Sequence, residues 1–198
     1  MNKVLRKYLG KFVEVYLDDV IIYSRTKEEH IRYVRAVLQK IRKVNLKLKL
    51  TKCKWFEQEL IFVGYRITAR GIEPDPRNIE KIKNARVPTS TMELRGFLGT
   101  AQFYRQFVKN YANVARPIYD MLKEDIPEYW GNAQQVVFDT LKDKLTSIPI
   151  RTYPNFDKLF KLYTDASDLG LGAVLVQENE QRRERVIVYD ARRLNQAE

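Results

Sequence analysis

The residues in this sequence best suited to chemistry are carboxylates. Asp18 and Asp19 stand side by side within Phe12–Ser24, FVEVYLDDVIIYS, between two short apolar runs rich in β-branched and aromatic residues. Those runs read as two antiparallel strands with the acids at or beside the tip. A tight hairpin usually turns on Asn-Gly or Asp-Gly, whereas Tyr16-Leu17-Asp18-Asp19 contains no glycine, so this turn is locally unfavourable. Taken alone, an Asp pair is as a rule a solvated turn. Two adjacent carboxylates nevertheless repel one another until cations neutralise them, which makes the pair a candidate for hard divalent metals. Phe160–Thr164 reads as a strand that delivers Asp165; in isolation the acid reads as a strand leaving the core. Other chemistries are poorly served. His30 is the one histidine and Cys53 the one cysteine, which leaves no Ser-His-Asp or Cys-His machinery, no disulfide framework and no cysteine zinc site.

The elements that must position these acids follow from pattern. Val4, Leu5, Tyr8 and Leu9 share one helical face ending at Gly10. Thr26 with Glu29 makes a capping box for a helix to about Val44, with Ile31, Val34, Val37, Leu38 and Ile41 on its apolar side. Leu46, Leu48 and Leu50 alternate with Lys47 and Lys49, predicting a strand with one buried and one cationic face. Leu60–Thr68 reads as a strand pair bent at Gly64, and Pro74-Asp75-Pro76 breaks the chain. Ile79 and Ile82 mark a short helix. Ser90 with Glu93 opens another, expected to reach Lys109, with Leu94, Phe97, Leu98, Ala101, Tyr104, Phe107 and Val108 inward. Gly96 and Gly99 weaken that helix by about 1 kcal/mol each, so a neighbouring helix or a nucleic-acid backbone is expected against them. A short helix over Pro117–Leu122, a turn with an aromatic anchor over Pro127–Trp130, and a helix capped by Asn132 and ended by Pro149 come next. Strands follow at Phe160–Thr164, Gly170–Val176 and Val186–Tyr189.

The chain of 198 residues is 44% hydrophobic and 31% charged, enough to bury a real core. Thirty-six Lys and Arg against 25 Asp and Glu give a formal charge of +11, which favours a polyanionic partner through counterion release. Twelve Tyr and nine Phe interleave with the cations, which suits nucleic acid better than an anionic membrane. No apolar run has the length of a transmembrane helix and the N-terminus carries no apolar signal core, so an intracellular setting is expected.

Tyr16-x-Asp18-Asp19 between buried-type strands resembles the Tyr-x-Asp-Asp palm hairpin of reverse transcriptases, and VYLDDVIIYS is most similar to the gypsy-type branch of LTR retrotransposons. Three further stretches fall in the family's order. Phe62, Val63, Gly64 and Tyr65 resemble the primer grip; Leu94-Arg95-Gly96-Phe97-Leu98-Gly99 with Phe103–Phe107 resembles the thumb, which follows a duplex along its minor groove; and Thr164-Asp165-Ala166-Ser167 with the Gly-x-Gly-Ala strand resembles the opening of the fused RNase H domain. The implied architecture is α+β: the back of a palm over 1–73, a thumb over 74–125, a connector over 126–150 and the start of an RNase H-like domain over 151–198.

By this resemblance Asp18, Asp19 and Asp165 are the catalytic, metal-binding acids, with Mg²⁺ or Mn²⁺ as cofactor. In-line attack of a primer hydroxyl on a nucleotide uses two such cations about 4 Å apart. Tyr16, Phe62, Val63, Gly64, Tyr65, Arg95, Gln102, Arg105 and Gln106 are the implied nucleic-acid contacts. RNA template, DNA primer, RNA–DNA hybrid, dNTP and the rest of a Pol polyprotein are the implied partners, in the cytoplasm, a retrotransposon particle or the nucleus. The family draws an earlier palm aspartate and the fingers from upstream sequence and its later RNase H acids from downstream sequence, so these 198 residues alone are expected to be inactive. The sequence also departs from the family at Asp190-Ala191-Arg192, where Ala-Ser-Arg is usual. The competing reading is a basic nucleic-acid-binding remnant without chemistry; a third is a piece whose unpaired sheet edges prevent independent folding.

Overall fold

The computed structural model describes residues 1–122, 130–148, 150–167 and 170–194. The chain divides into two compact units, Met1–Val63 and Gly64–Glu198. Small antiparallel sheets and helices make up both, the α+β mixture the pattern predicts.

The first unit is built around a hairpin. Strands β1 (Val13–Tyr16) and β2 (Asp19–Ile22) pair antiparallel, Val13 against Ile22 and Tyr16 against Asp19. Their inward residues pack on Leu5 of α1 (Asn2–Leu5) and on Val37 and Ile41 of α2 (Lys27–Lys43). Thr26 caps α2 by accepting a hydrogen bond from the Glu29 amide at 3.2 Å, while the Glu29 carboxylate reaches back to the Arg25 amide. Val34, Val37 and Ile41 are buried, but Ile31 is 40% exposed, so the apolar stripe of α2 is wider than the core beneath it. The strand expected over Leu46–Leu50 does not form. Leu46–Lys49 carries no strand pairing and ends in a 3₁₀ turn, Leu50–Lys52, with all three leucines exposed. Alternation specifies an extended chain; it cannot supply the neighbouring strand that would satisfy it. Strand β3 (Leu60–Phe62) closes this unit.

In the second unit, β4 (Tyr65–Thr68) and β5 (Gly71–Pro74) form a hairpin, and α3 (Pro76–Lys83), α4 (Thr91–Phe103), α5 (Tyr111–Met121) and α6 (Asn132–Thr146) share one core. Every residue expected inward on the Ser90-capped segment is buried. The helix itself stops at Phe103, however, and Arg105–Phe107 is a 3₁₀ turn, which lets Tyr104, Phe107 and Val108 all face the core without a continuous α-helix. Pro117 does not begin a helix but lies inside α5, on its exposed side; burial of Tyr111, Ala115, Ile118 and Met121 outweighs the lost amide donor. Gly131, not Asn132, is the cap of α6. Trp130 anchors as expected, donating to Gln135 Oε1 at 2.7 Å and meeting Phe138 edge-on. The rest of the expected turn, Pro127–Glu128–Tyr129, and Pro149 lie outside the described residues.

The last three strands, β6 (Lys161–Ser167), β7 (Gly170–Glu178) and β8 (Glu184–Arg193), make an antiparallel sheet in chain order. Arg151 ties it to the helices. Its backbone exchanges two hydrogen bonds of 2.9 Å with Ile72 of β5, its guanidinium lies 4.6 Å over the Phe107 ring, and its Nε donates to the carbonyl of Ile187 in β8. Burial of this guanidinium pulls its pKa down.

Candidate functional site

The acidic pair lies at the tip of the β1–β2 hairpin. Tyr16 faces Asp19 across the ladder, leaving Leu17 and Asp18 as a two-residue turn. Leu17 stands at φ +53°, a left-handed conformation that costs a residue with a Cβ roughly 1–2 kcal/mol. The buried root of the hairpin holds this strained tip in place, a common arrangement where a turn is kept for its side chains. Tyr16 and Leu17 are more than half exposed, and both carboxylates are exposed as well. Hard oxygen donors of this kind suit Mg²⁺ or Mn²⁺. Among the described residues no group of three or more His, Cys, Asp or Glu comes together.

The residues expected to form a primer grip are arranged by a turn. Val63 and Gly64 both have positive φ, 48° and 76°, the backbone of a type I′ turn. The Gly64 carbonyl accepts two hydrogen bonds, from the Tyr104 hydroxyl at 2.7 Å and the Asp75 amide at 3.0 Å. A side chain at Gly64 would meet the Phe103 ring at 2.9 Å. Tyr65 stacks on Phe103 with centroids 5.1 Å apart, meets Tyr104 edge-on, and accepts a 2.7 Å bond from Gln106 Nε2. Burial raises the pKa of Tyr65, and of Tyr104, whose hydroxyl also accepts from Asn78 Nδ2 at 2.9 Å. Gly64, Tyr65 and Gln106 therefore form one assembly. Phe62, half-buried in β3, belongs to the first unit.

The remaining expected contacts sit around α4. Arg95 and Gln102 are exposed, and Gln102 accepts a bond from the Tyr119 hydroxyl at 3.1 Å. Arg105 lies 3.9 Å from Asp190 of β8, both well exposed. A Cβ added at Gly96 or Gly99 would meet nothing within 4 Å, so among the described residues no neighbouring helix covers them and the backbone of α4 is bare there. Pattern reading missed Phe103 as a surface residue and the role of Tyr104. Periodicity placed Tyr104 inward but could not show that its hydroxyl ends on a carbonyl forty residues earlier.

Asp165 is exposed on β6, paired with Gly172. Asp190 pairs with Ala173, whose other partner is Thr164, so alternation puts Asp190 on the opposite face of the sheet from Asp165. Asp165 thus gains no second acid from β8.

Residues 1–67 match the reverse transcriptase (RNA-dependent DNA polymerase) family, and residues 130–198 match the RNase H-like domain found in reverse transcriptase. The retrovirus-related Pol polyprotein from transposon 297 of Drosophila melanogaster is 40% identical over 178 residues, 89% of this chain and 17% of that protein. The corresponding polyprotein from transposon opus, also of Drosophila melanogaster, is 36% identical over 100% of this chain and 21% of its own length. The Tf2-3 transposon polyprotein of Schizosaccharomyces pombe is 31% identical over 100% of the chain and 15% of its length. In fold, the chain superposes on the foamy viral protease-reverse transcriptase in complex with RNA/DNA hybrid with a TM-score of 0.82 at 20% identity, covering 98% of this chain and 26% of that one. For the same enzyme in complex with dsDNA the TM-score is 0.81 at 20% identity, covering 99% and 40%. The chain thus carries part of a reverse transcriptase domain followed by an RNase H-like domain. The chain is homologous to retrotransposon Pol polyproteins, of which it spans at most about a fifth in length.

Proposed function

We propose that these residues serve, within a Pol polyprotein of the gypsy type, as the back of the palm, the thumb, the connector and the first RNase H strands of an RNA-directed DNA polymerase. The observation that carries this reading is the Tyr16–Asp19 tip, where a strained, glycine-free turn holds two exposed carboxylates at the end of a rigid hairpin. Asp18 and Asp19 would hold Mg²⁺ or Mn²⁺, which when bound activates the primer hydroxyl and neutralises charge on the transferred phosphate. Tyr16, beside them, contacts the primer end. The turn at Val63–Gly64, braced by Tyr104 and Asp75, positions the primer strand, and the open face of α4 with Arg95, Gln102 and Arg105 follows the duplex. Gln106 acts through Tyr65 by fixing the orientation of its ring. Asp165 contributes one acid to hydrolysis of RNA in a hybrid. The duplexes held by the superposed foamy viral enzyme support nucleic acid as the partner.

Two carboxylates at one site and one at the other fall short of the ligand set two-metal chemistry uses, so the 198 residues alone are expected to be inactive. The test is primer extension on primed RNA with Mg²⁺, using the purified chain, its Asp18→Asn form, and the chain mixed with a fingers-and-front-palm segment of a relative. Extension only in the mixture, abolished by Asp18→Asn, is the expected result. Extension that survives Asp18→Asn would refute the assignment of the hairpin.

A further inference from the structure

The charge of this protein is concentrated where the polymerase reading does not use it. Residues 1–63 hold 15 Lys and Arg against 7 Asp and Glu, and from Arg32 to Lys54 there are nine basic residues and no acidic one. Among the described residues none of these nine enters an ion pair; the salt bridges involve Arg66, Arg77, Arg105, Arg116 and Lys161. Lys47, Lys49, Lys52 and Lys54 are all exposed.

The path of the chain lays these cations along α2. Leu46 is tied to the C-terminal end of the helix by a hydrogen bond from its amide to the Ile41 carbonyl at 3.1 Å. Ten residues later the Phe56 ring meets His30, near the N-terminal end, edge-on at 5.2 Å. Segment 46–56 therefore runs back beside the helix over about 15–20 Å at 1.5 Å per helical residue. A shallow groove of about 350 Å³ runs along α2, its lining including Ile31, Arg35, Leu38 and Arg42 and, from the returning segment, Phe56. Phe56 is held at φ +57°, an unfavourable conformation for an aromatic residue, and remains 52% exposed; Trp55 beside it is 41% exposed.

Unpaired cations along an extended track, with aromatic and aliphatic surface between them, form the combination that binds single-stranded nucleic acid: phosphates follow the charges and bases stack on the rings. An apolar protein partner would leave this many like charges facing a low-dielectric interface without counterions, at considerable desolvation cost. We infer that the strip formed by α2 and residues 46–56 is a binding surface for single-stranded RNA or DNA, separate from the hairpin carboxylates and from the α4 face. It retains a single strand beside the palm and requires neither metal nor duplex.

The experiment titrates the purified chain with labelled oligouridine, following both fluorescence anisotropy and quenching of tryptophan emission. Lys47→Glu/Lys49→Glu/Lys52→Glu alters only exposed side chains and should lower affinity at least tenfold and reduce the slope of log K against log salt by about 2, since each phosphate contact on a single strand contributes about 0.7. Phe56→Asn keeps a residue that tolerates positive φ while removing the ring, and should weaken binding severalfold with an unchanged melting curve. Trp55→Phe should abolish most of the quenching, the other tryptophan, Trp130, lying in the second unit. Arg95→Ala should leave oligouridine binding intact, which separates this surface from the duplex-binding face. Oligouridine affinity unchanged in the triple variant would overturn the proposal, as would a Phe56→Asn change that alters only sedimentation, which would identify the strip as a protein contact.

Discussion

At the scale of single residues, buried polar groups do the positioning and exposed ones are left for partners. Asp75 shows how such positioning depends on pH. Its carboxylate caps α3 through the Arg77 amide at 2.9 Å and pairs with the Arg77 guanidinium at 2.7 Å, and these hydrogen bonds hold it below the ordinary carboxylate range. A folded-state pKa below the unfolded value means a contribution that is present above the unfolded pKa, near 4, and is lost as pH falls through the folded value. Thermal midpoints of the chain and of Asp75→Asn should therefore differ at pH 7, with the chain more stable, and converge as the pH falls below about 4. A gap that persists unchanged in acid would mean that the ion pair is not what Asp75 contributes.

At the scale of elements, α4 has one well-packed face and one bare one. Its buried face, Leu94, Phe97, Leu98 and Ala101, is well packed, while Gly96 and Gly99 lie in open space. Nothing in the packing of the described residues requires glycine there. Gly96→Ala and Gly99→Ala should each stabilise the chain by about 0.5–1 kcal/mol in urea denaturation, because alanine loses less backbone entropy in a helix and meets no neighbour. If the bare backbone is where a duplex approaches, the same substitutions should weaken binding to a primer–template duplex severalfold. Stabilisation with unchanged duplex affinity would remove α4 from the interface. The hairpin tip is likewise locally unfavourable, since Leu17 accepts a left-handed conformation at the turn that presents Asp18 and Asp19.

At the scale of the molecule, Arg151 and Gly71 make one of the main junctions within the second unit. Arg151 bonds β5 through its backbone, covers Phe107 with its guanidinium and reaches β8 at Ile187. Gly71 makes the first of these contacts possible: a Cβ there would lie 2.1 Å from the Arg151 carbonyl oxygen, and its φ is +145°. Gly71→Ala should cost about 3 kcal/mol or more and should turn a single unfolding transition of this unit into two, with limited proteolysis cutting between α6 and β6. A mild cost with one cooperative transition would show that side-chain packing alone, Phe107 and Ile187 included, joins the RNase H-like sheet to the helices.

Much of this was legible without coordinates. The hairpin and its acid pair follow from β-branched runs flanking two carboxylates. The caps at Thr26 and Ser90 follow from the fit of a hydroxyl to an orphan amide three residues on, and the inward face of α4 from a 3.6-residue period. These are local rules, and the chain obeys them locally. Tertiary structure decided the matters that depend on residues distant in sequence. Leu46–Leu50 has the alternation of a strand but no neighbour to pair with, so it stays extended and exposed. Pro117 sits inside a helix because four buried side chains of α5 outweigh one missing hydrogen bond. The Tyr104 hydroxyl finds Gly64, and the arginine opening the last section crosses back to β5, because burial demands partners for polar groups wherever the fold provides them. Composition announced a surplus of positive charge. Only the fold showed that the cations between Arg32 and Lys54 lie on or beside one helix with no ion pair among the described residues, since charge sums over the chain whereas pairing depends on which side chains end up within reach.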